Sequence, residues 1–147
     1  MWILPLLLAG LALGQEGVPR PPNLVLIVAD DLGIGELGCY GQRKIETPRL
    51  DAMASDGLRF TQFYAAAPVC APARCSLYTG LHGGHALVRD NVEMPSEGQM
   101  ALASGTVTLP KLLQGAGYAT ALIGKWGLGG PKTSGEPNKH GFDHWFG

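Results

Sequence analysis

The chain has 147 residues and a formal net charge of −1, with 11 Lys and Arg against 12 Asp and Glu. That length gives one domain with a core, and the lack of a basic stripe excludes a nucleic-acid partner. Its 22 glycines and 11 prolines are many for a compact α/β core, yet below the level of a disordered chain.

The first stretch, residues 1–14 (MWILPLLLAGLALG), is apolar, too short to span a bilayer, and ends in Ala12-Leu13-Gly14 before polar Gln15. This pattern predicts a signal peptide over 1–14, hence an exported protein, periplasmic or secreted, with no stable membrane anchor. Three cysteines, Cys39, Cys70 and Cys75, leave one unpaired in a simple disulfide framework. Cys39 and Cys75 either pair or remain buried thiols.

Beyond prolines 19, 21 and 22, the run Leu24 to Ala29 (LVLIVA) is continuously apolar and β-branched, as a strand covered on both faces is. It stops at Asp30-Asp31, where ligands gather in open parallel sheets. Adjacent carboxylates repel unless a cation lies between them, and hard oxygen ligands favour Ca²⁺ or Mg²⁺ over zinc. The bland alternative is an acidic turn capping nearby N–H groups. Thr47 as N-cap and Pro48 at the first helical position then open a helix with an apolar face of Leu50, Met53 and Ala54, closed by Gly57 and expected to serve packing. Leu58, Phe60 and Phe63 carry an extended, partly buried segment onward.

In Cys70-Ala71-Pro72-Ala73-Arg74 the proline fits a helical first turn, which predicts Cys70 just outside the helix and Arg74 inside it. Four residues apart, the two side chains share one side of that turn, where a guanidinium and free backbone N–H groups can meet an anion. Gly80 ends the helix. In His82-Gly83-Gly84-His85 two imidazoles lack a third soft ligand for zinc; His85 and Arg89 are instead candidate substrate contacts. Residues 90–105 read as an irregular surface loop. Thr108-Leu109-Pro110 starts another helix, ended by Gly115 or Gly117, before a second buried run from Tyr118 to Ile123. Strand, helix and strand at this spacing predict a right-handed crossover and a parallel sheet, with Lys125 facing the same crevice as Asp30 and Asp31.

Four stretches carry a resemblance: C-x-P-x-R with T-G at 70–80, Ala29-Asp30-Asp31-Leu32-Gly33-x-Gly35, Gly124-Lys125-Trp126-Gly127-Leu128-Gly129, and Gly141-Phe142-Asp143-His144-Trp145-Phe146-Gly147. Together they resemble the type I, formylglycine-dependent sulfatases, in an arylsulfatase-like subgroup with G-K-W-G-L-G. The resemblance implies an alkaline-phosphatase-like α/β sandwich with a mostly parallel central sheet, residues 21–147 being the N-terminal part of an incomplete catalytic domain. It implies hydrolysis of sulfate esters, carbohydrate or aryl. Cys70 would be converted to formylglycine (3-oxoalanine) by a formylglycine-generating enzyme, and the hydrated aldehyde would be nucleophile and metal ligand beside Asp30 and Asp31, with Ca²⁺ or Mg²⁺ as cofactor. Arg74 and Lys125 would balance charge on nucleophile and sulfuryl oxygens, Lys125 also binding substrate. Gly127 stands where most members have histidine, which leaves that role to a neighbour, His85 first. Further metal ligands, a second histidine and a second lysine have no counterparts before Gly147, so the 147-residue chain alone is expected to be inactive. The rivals are a phosphonate monoester or phosphodiester hydrolase, which shares C-x-P-x-R, and a non-catalytic exported fragment.

Overall fold

The computed structural model describes residues 20–94 and 99–147, so the leader over 1–14 lies outside the described residues. Among the described residues no helix is long and apolar enough to cross a membrane.

Helix α1 (Pro48–Asp56) begins at its N1 proline and ends at Gly57, whose N–H donates to Met53 O at 3.0 Å. Thr47 does not cap the helix through its side chain. Its hydroxyl accepts Gly38 N–H at 2.8 Å and donates to Asp51 Oδ1 at 3.0 Å, while Asp51 Oδ1 also accepts Cys39 N–H at 2.6 Å. The short 3-10 turn Gly38–Tyr40 is thereby tied to the first turn of α1. The packing role expected of this helix is not met among the described residues. No residue of α1 is buried, and Met53 is 58% exposed.

Helix α2 (Cys70–Thr79) starts one residue earlier than predicted: Cys70 is its first helical residue, Val69 its N-cap and Pro72 its third position. The shift is permitted because none of the first three helical N–H groups has an intrahelical partner, so proline removes nothing at the third. The first such bond, Ala73 N–H to Val69 O at 3.2 Å, comes one residue later. Gly80 takes φ +71° and closes the helix with its N–H on Ser76 O at 2.8 Å. Helix α3 (Leu109–Gly115) ends through Gly117 at φ +86°, which lets Tyr118 N–H reach back to Leu113 O at 3.0 Å.

Strand β1 (Ala121–Ile123) is followed by a 3-10 turn (Pro137–His140) and strand β2 (His144–Phe146), which pairs parallel to β1 with Leu122 opposite Trp145. The parallel sheet is therefore present, with a partner the sequence did not point to. The run Leu24 to Ala29 forms no strand: its backbone pairs with no described segment, and Val25 and Ile27 are 83% and 80% exposed. β2 is held by side chains. Asp143 Oδ2 accepts Thr120 N–H at 2.8 Å, Asp143 Oδ1 accepts Gln114 Nε2–H at 2.7 Å, and the Thr120 hydroxyl donates to Gly141 O at 2.6 Å.

The core forms where α2 meets the segment between β1 and β2. Ala71, Cys75 and Tyr78 pack with Val88, Leu102, Trp126, Leu128 and Phe142. Trp126 is its centre, with its ring 4.9 Å from Tyr78, edge-on to Phe142 at 5.9 Å, and its Nε1–H on Gly135 O at 2.6 Å. The described part of the region, 90–94 and 99–105, is irregular as expected, but it is not all surface. Leu102 is fully buried and donates its N–H to Leu128 O at 2.9 Å. All three cysteines are free, Cys75 as a buried thiol, so Cys39 and Cys75 do not pair.

Candidate active site

Three segments far apart in sequence meet beside Cys70. Helix α2 presents Arg74 one turn after Cys70; Gly124, at φ +101°, turns the chain out of β1 and hands on Lys125; and the Leu24 to Ala29 run delivers Asp30. Arg74 Nη2 lies 3.2 Å from Asp30 Oδ1 and Lys125 Nζ 2.8 Å from Asp30 Oδ2. Arg74 Nη1 also donates to Lys125 O at 2.5 Å, so the guanidinium fixes the backbone that carries the ammonium.

The charges act on one another. Lys125, then Arg74, holds the Asp30 carboxyl below its ordinary value. The Lys125 ammonium is raised by Asp30 first and Cys70 second, and the Cys70 thiol is lowered by Lys125 first and the Asn91 amide second. These pairs are not a stability device. Asp30 and Lys125 are roughly half exposed, and solvent screens such pairs so that they add little to stability. Arg74 differs, with its side chain only 10% exposed and its buried Nε lacking a hydrogen-bond partner. A desolvated guanidinium held at the rim of a cleft is a strong anion partner.

Asp31 has φ +59°, a left-handed conformation that aspartate tolerates better than most residues, and it makes no hydrogen bond or ion pair among the described residues. Asp30, Asp31, Cys70, Arg74 and His82 line a cleft of about 820 Å³. Two adjacent carboxylates offer the oxygen chemistry that Ca²⁺ or Mg²⁺ requires. Among the described residues no group of three His, Cys, Asp or Glu side chains comes together.

The remaining candidates fall elsewhere. His85 stacks edge-on against His82 with ring centroids 4.6 Å apart, and it is His82, not His85, that borders the cleft. Arg89 turns its guanidinium on its own loop, donating to Ala86 O at 3.0 Å and Gly84 O at 3.1 Å. Gly127 has φ +74°, and a Cβ there would meet only Arg74 Cδ at 3.6 Å, so the position is open toward the guanidinium. Sequence reasoning missed Asn91, which touches both Cys70 and Ala71. It sits in an irregular stretch with no periodicity or motif to single it out.

The Sulfatase family model matches residues 22–147, and the chain belongs to that family. The N-acetylgalactosamine-6-sulfatase of Sus scrofa is 44% identical over 99% of this chain and 29% of its own length. The steryl-sulfatase of Mus musculus is 46% identical over 88% of this chain and 22% of its own. A solved structure from Bacteroides thetaiotaomicron, described under the metabolism of multiple glycosaminoglycans, is 36% identical with a TM-score of 0.78, covering 87% of this chain and 28% of that one. The architecture is accordingly the α/β type of the alkaline-phosphatase-like sulfatases. The chain spans less than a third of the length of these relatives.

Proposed function

We propose that these residues belong to an enzyme that hydrolyses sulfate esters, with position 70 as the attacking residue once its cysteine has been oxidised to formylglycine. The observation that carries this reading is the convergence of Arg74 and Lys125 on one carboxylate beside Cys70, at a helix N-terminus. A sulfate ester is a monoanion whose charge shifts onto its bridging oxygen as the S–O bond breaks, while the attacking oxygen brings charge of its own. Two preorganised cations at that point stabilise the transition state more than the ground state. Lys125 neutralises the attacking oxygen borne by residue 70, and Arg74, fixed by its bond to Lys125 O, faces the sulfuryl group. Asp30 sets the spacing of both cations.

Asp30, Asp31 and residue 70 would hold a divalent cation, Ca²⁺ or Mg²⁺, which when bound supplies Lewis-acid activation of oxygen. The N-acetylgalactosamine-6-sulfatase name and the glycosaminoglycan context of the bacterial structure favour a sulfated carbohydrate, and the steryl-sulfatase name makes a non-carbohydrate sulfate ester the alternative. Modification requires a formylglycine-generating enzyme as a transient partner, and a secreted or periplasmic location suits sulfated polymers outside the cell.

The test uses the full-length protein from a host able to oxidise position 70. Hydrolysis of a sulfated monosaccharide and of an aryl sulfate, with phosphodiester turnover much slower, is expected. Cys70→Ala should abolish turnover by on the order of 10⁴-fold or more, as removal of a nucleophile does. Unmodified, alkylatable Cys70 in a fully active preparation would refute the reading, and full activity of Asp30→Ala or Asp31→Ala without added metal would refute the cation site.

A further inference from the structure

Asn91 lies 21 residues beyond Cys70 in sequence, yet its side chain makes both of its described hydrogen bonds at the start of α2. Its Oδ1 accepts Ala71 N–H at 3.0 Å, and its Nδ2 donates to Cys70 Sγ at 3.7 Å. The chemistry fixes which end of the amide faces which partner. Ala71 N–H is a donor only, so it must meet the oxygen, and the amide NH₂ is left for residue 70.

Two features separate this from a chance surface contact. The N-cap of α2, Val69, has no side-chain acceptor, so the Ala71 N–H would otherwise be one of the unsatisfied donors of a helix start. Further, the loop that delivers Asn91 is clamped. Ala86 and Val88 are buried in the core, Arg89 ties itself to Gly84 O and Ala86 O, and Asn91 N–H donates to Asp90 Oδ1 at 2.8 Å. This gives Arg89 a role: its guanidinium braces the loop that carries Asn91.

We infer that Asn91 is a positioning residue for the nucleophile, its amide NH₂ fixing the rotamer of residue 70 so that the attacking atom is presented toward Lys125 and Arg74. Residue 70 sits at the first position of the helix, where it can swing between staggered rotamers, and only some of these face the cations. One hydrogen bond from a braced amide, itself anchored on the next residue's N–H, selects among them. Misorientation of a reacting group by about 1 Å costs on the order of 10²-fold in rate.

This inference rests on the proposed sulfatase activity for its kinetic reading, and one readout is independent of it. In the full-length protein, Asn91→Asp keeps an oxygen for Ala71 N–H and removes the donor toward residue 70. A residue that only caps the helix would tolerate that change. The expected result is a melting temperature near that of the parent, unchanged formylglycine content by mass, and kcat for an aryl sulfate lowered about 10–100-fold with KM moved less than threefold. Asn91→Ala should show the same kcat loss together with a lower melting temperature. In protein made without the oxidising enzyme, iodoacetamide should alkylate Cys70 in Asn91→Asp at least threefold more slowly than in the parent at the same pH. Parental kcat in Asn91→Asp, or a change in KM alone, would overturn the positioning role in an active enzyme. If the parent has no sulfatase activity the proposed function fails, and the alkylation rate still decides: equal rates in parent and variant reject the contact between Asn91 and residue 70.

Discussion

Residues 108–147 hold a smaller share of apolar side chains and a larger share of glycine than residues 20–67, and the two are built differently. In the later region Thr108, Thr120 and Asp143 bond across to His140, Gly141 and Thr120, and Trp126 is enclosed by Tyr78, Phe142 and His140. In the earlier one, Val25, Ile27, Leu58 and Phe63 are all more than three quarters exposed. The difference lies in where the partners are. Each element of the later region finds its complement within about 40 residues, whereas the Leu24 to Ala29 run has no described strand on either edge. Apolar composition specifies that a segment needs covering and says nothing of what covers it.

The sharpest way to break this contrast is a pair of truncations to alanine in the 147-residue chain. Trp126→Ala should cost about 3–5 kcal/mol, because it empties the centre of a packed aromatic cluster. Leu58→Ala, at a side chain 78% exposed, should stay within about 0.5 kcal/mol. Chemical denaturation measures both, and equal costs would dissolve the distinction between the two regions.

A pair of glycines tests the same point at the backbone. Gly141 has φ +96°, and a Cβ there would run into the Pro110–Lys111 backbone, so Gly141→Ala should cost about 2–4 kcal/mol. Gly33, at φ −84° and ψ 156° with open space around it, should accept alanine with a change between zero and a gain of about 1 kcal/mol. Thermal melts of the two variants give the order.

The smallest effect is a pH dependence confined to the packed region. His140 is fully buried, its Nε2 is 2.9 Å from Ser134 O, and its Nδ1 has no partner. Burial first, then Lys111 and Lys139 nearby, pushes its imidazole below the ordinary value, while the Ser134 carbonyl acts in the opposite direction. Between the folded and unfolded values the unfolded chain binds more protons, so stability falls as pH drops below about 6.5, by at most about 1.4 kcal/mol per pH unit. His140→Gln should flatten that slope. A slope unchanged in this variant would assign the acid sensitivity to other groups.

Much of this was legible in the sequence where the signal is local. Pro48, Pro110, Gly57, Gly80 and Gly117 marked helix starts and stops because their backbone chemistry acts within a turn. The meeting of Asp30, Arg74 and Lys125 was legible through the sulfatase resemblance, since the run before Asp30 forms no strand among the described residues. What could not be read is non-local. Strand β2 is three residues long, too short for a periodic pattern, and is fixed by Asp143 bonding to Thr120 some 23 residues away. Asn91 lies in a stretch without regular structure, and its meaning comes wholly from what it reaches. The strand expected at Leu24 to Ala29 shows the converse, an apolar run that pairs with no described segment and stays exposed.

The contacts of the site close long loops: 44 residues separate Asp30 from Arg74, 51 separate Arg74 from the Lys125 carbonyl it bonds, and 95 separate Asp30 from Lys125. Closure entropy grows with loop length, and half-exposed charges return little for it. In a chain made from its N-terminus, Lys125 follows Cys70 by 55 positions (125 − 70). At roughly 5–20 residues per second that is about 3–11 s of synthesis. During that interval position 70 exists without its ammonium neighbour, and Asp30 without one of its two cations. The order of synthesis thus leaves a span of seconds in which Cys70 is already in the chain and the lysine that comes to stand beside it is not.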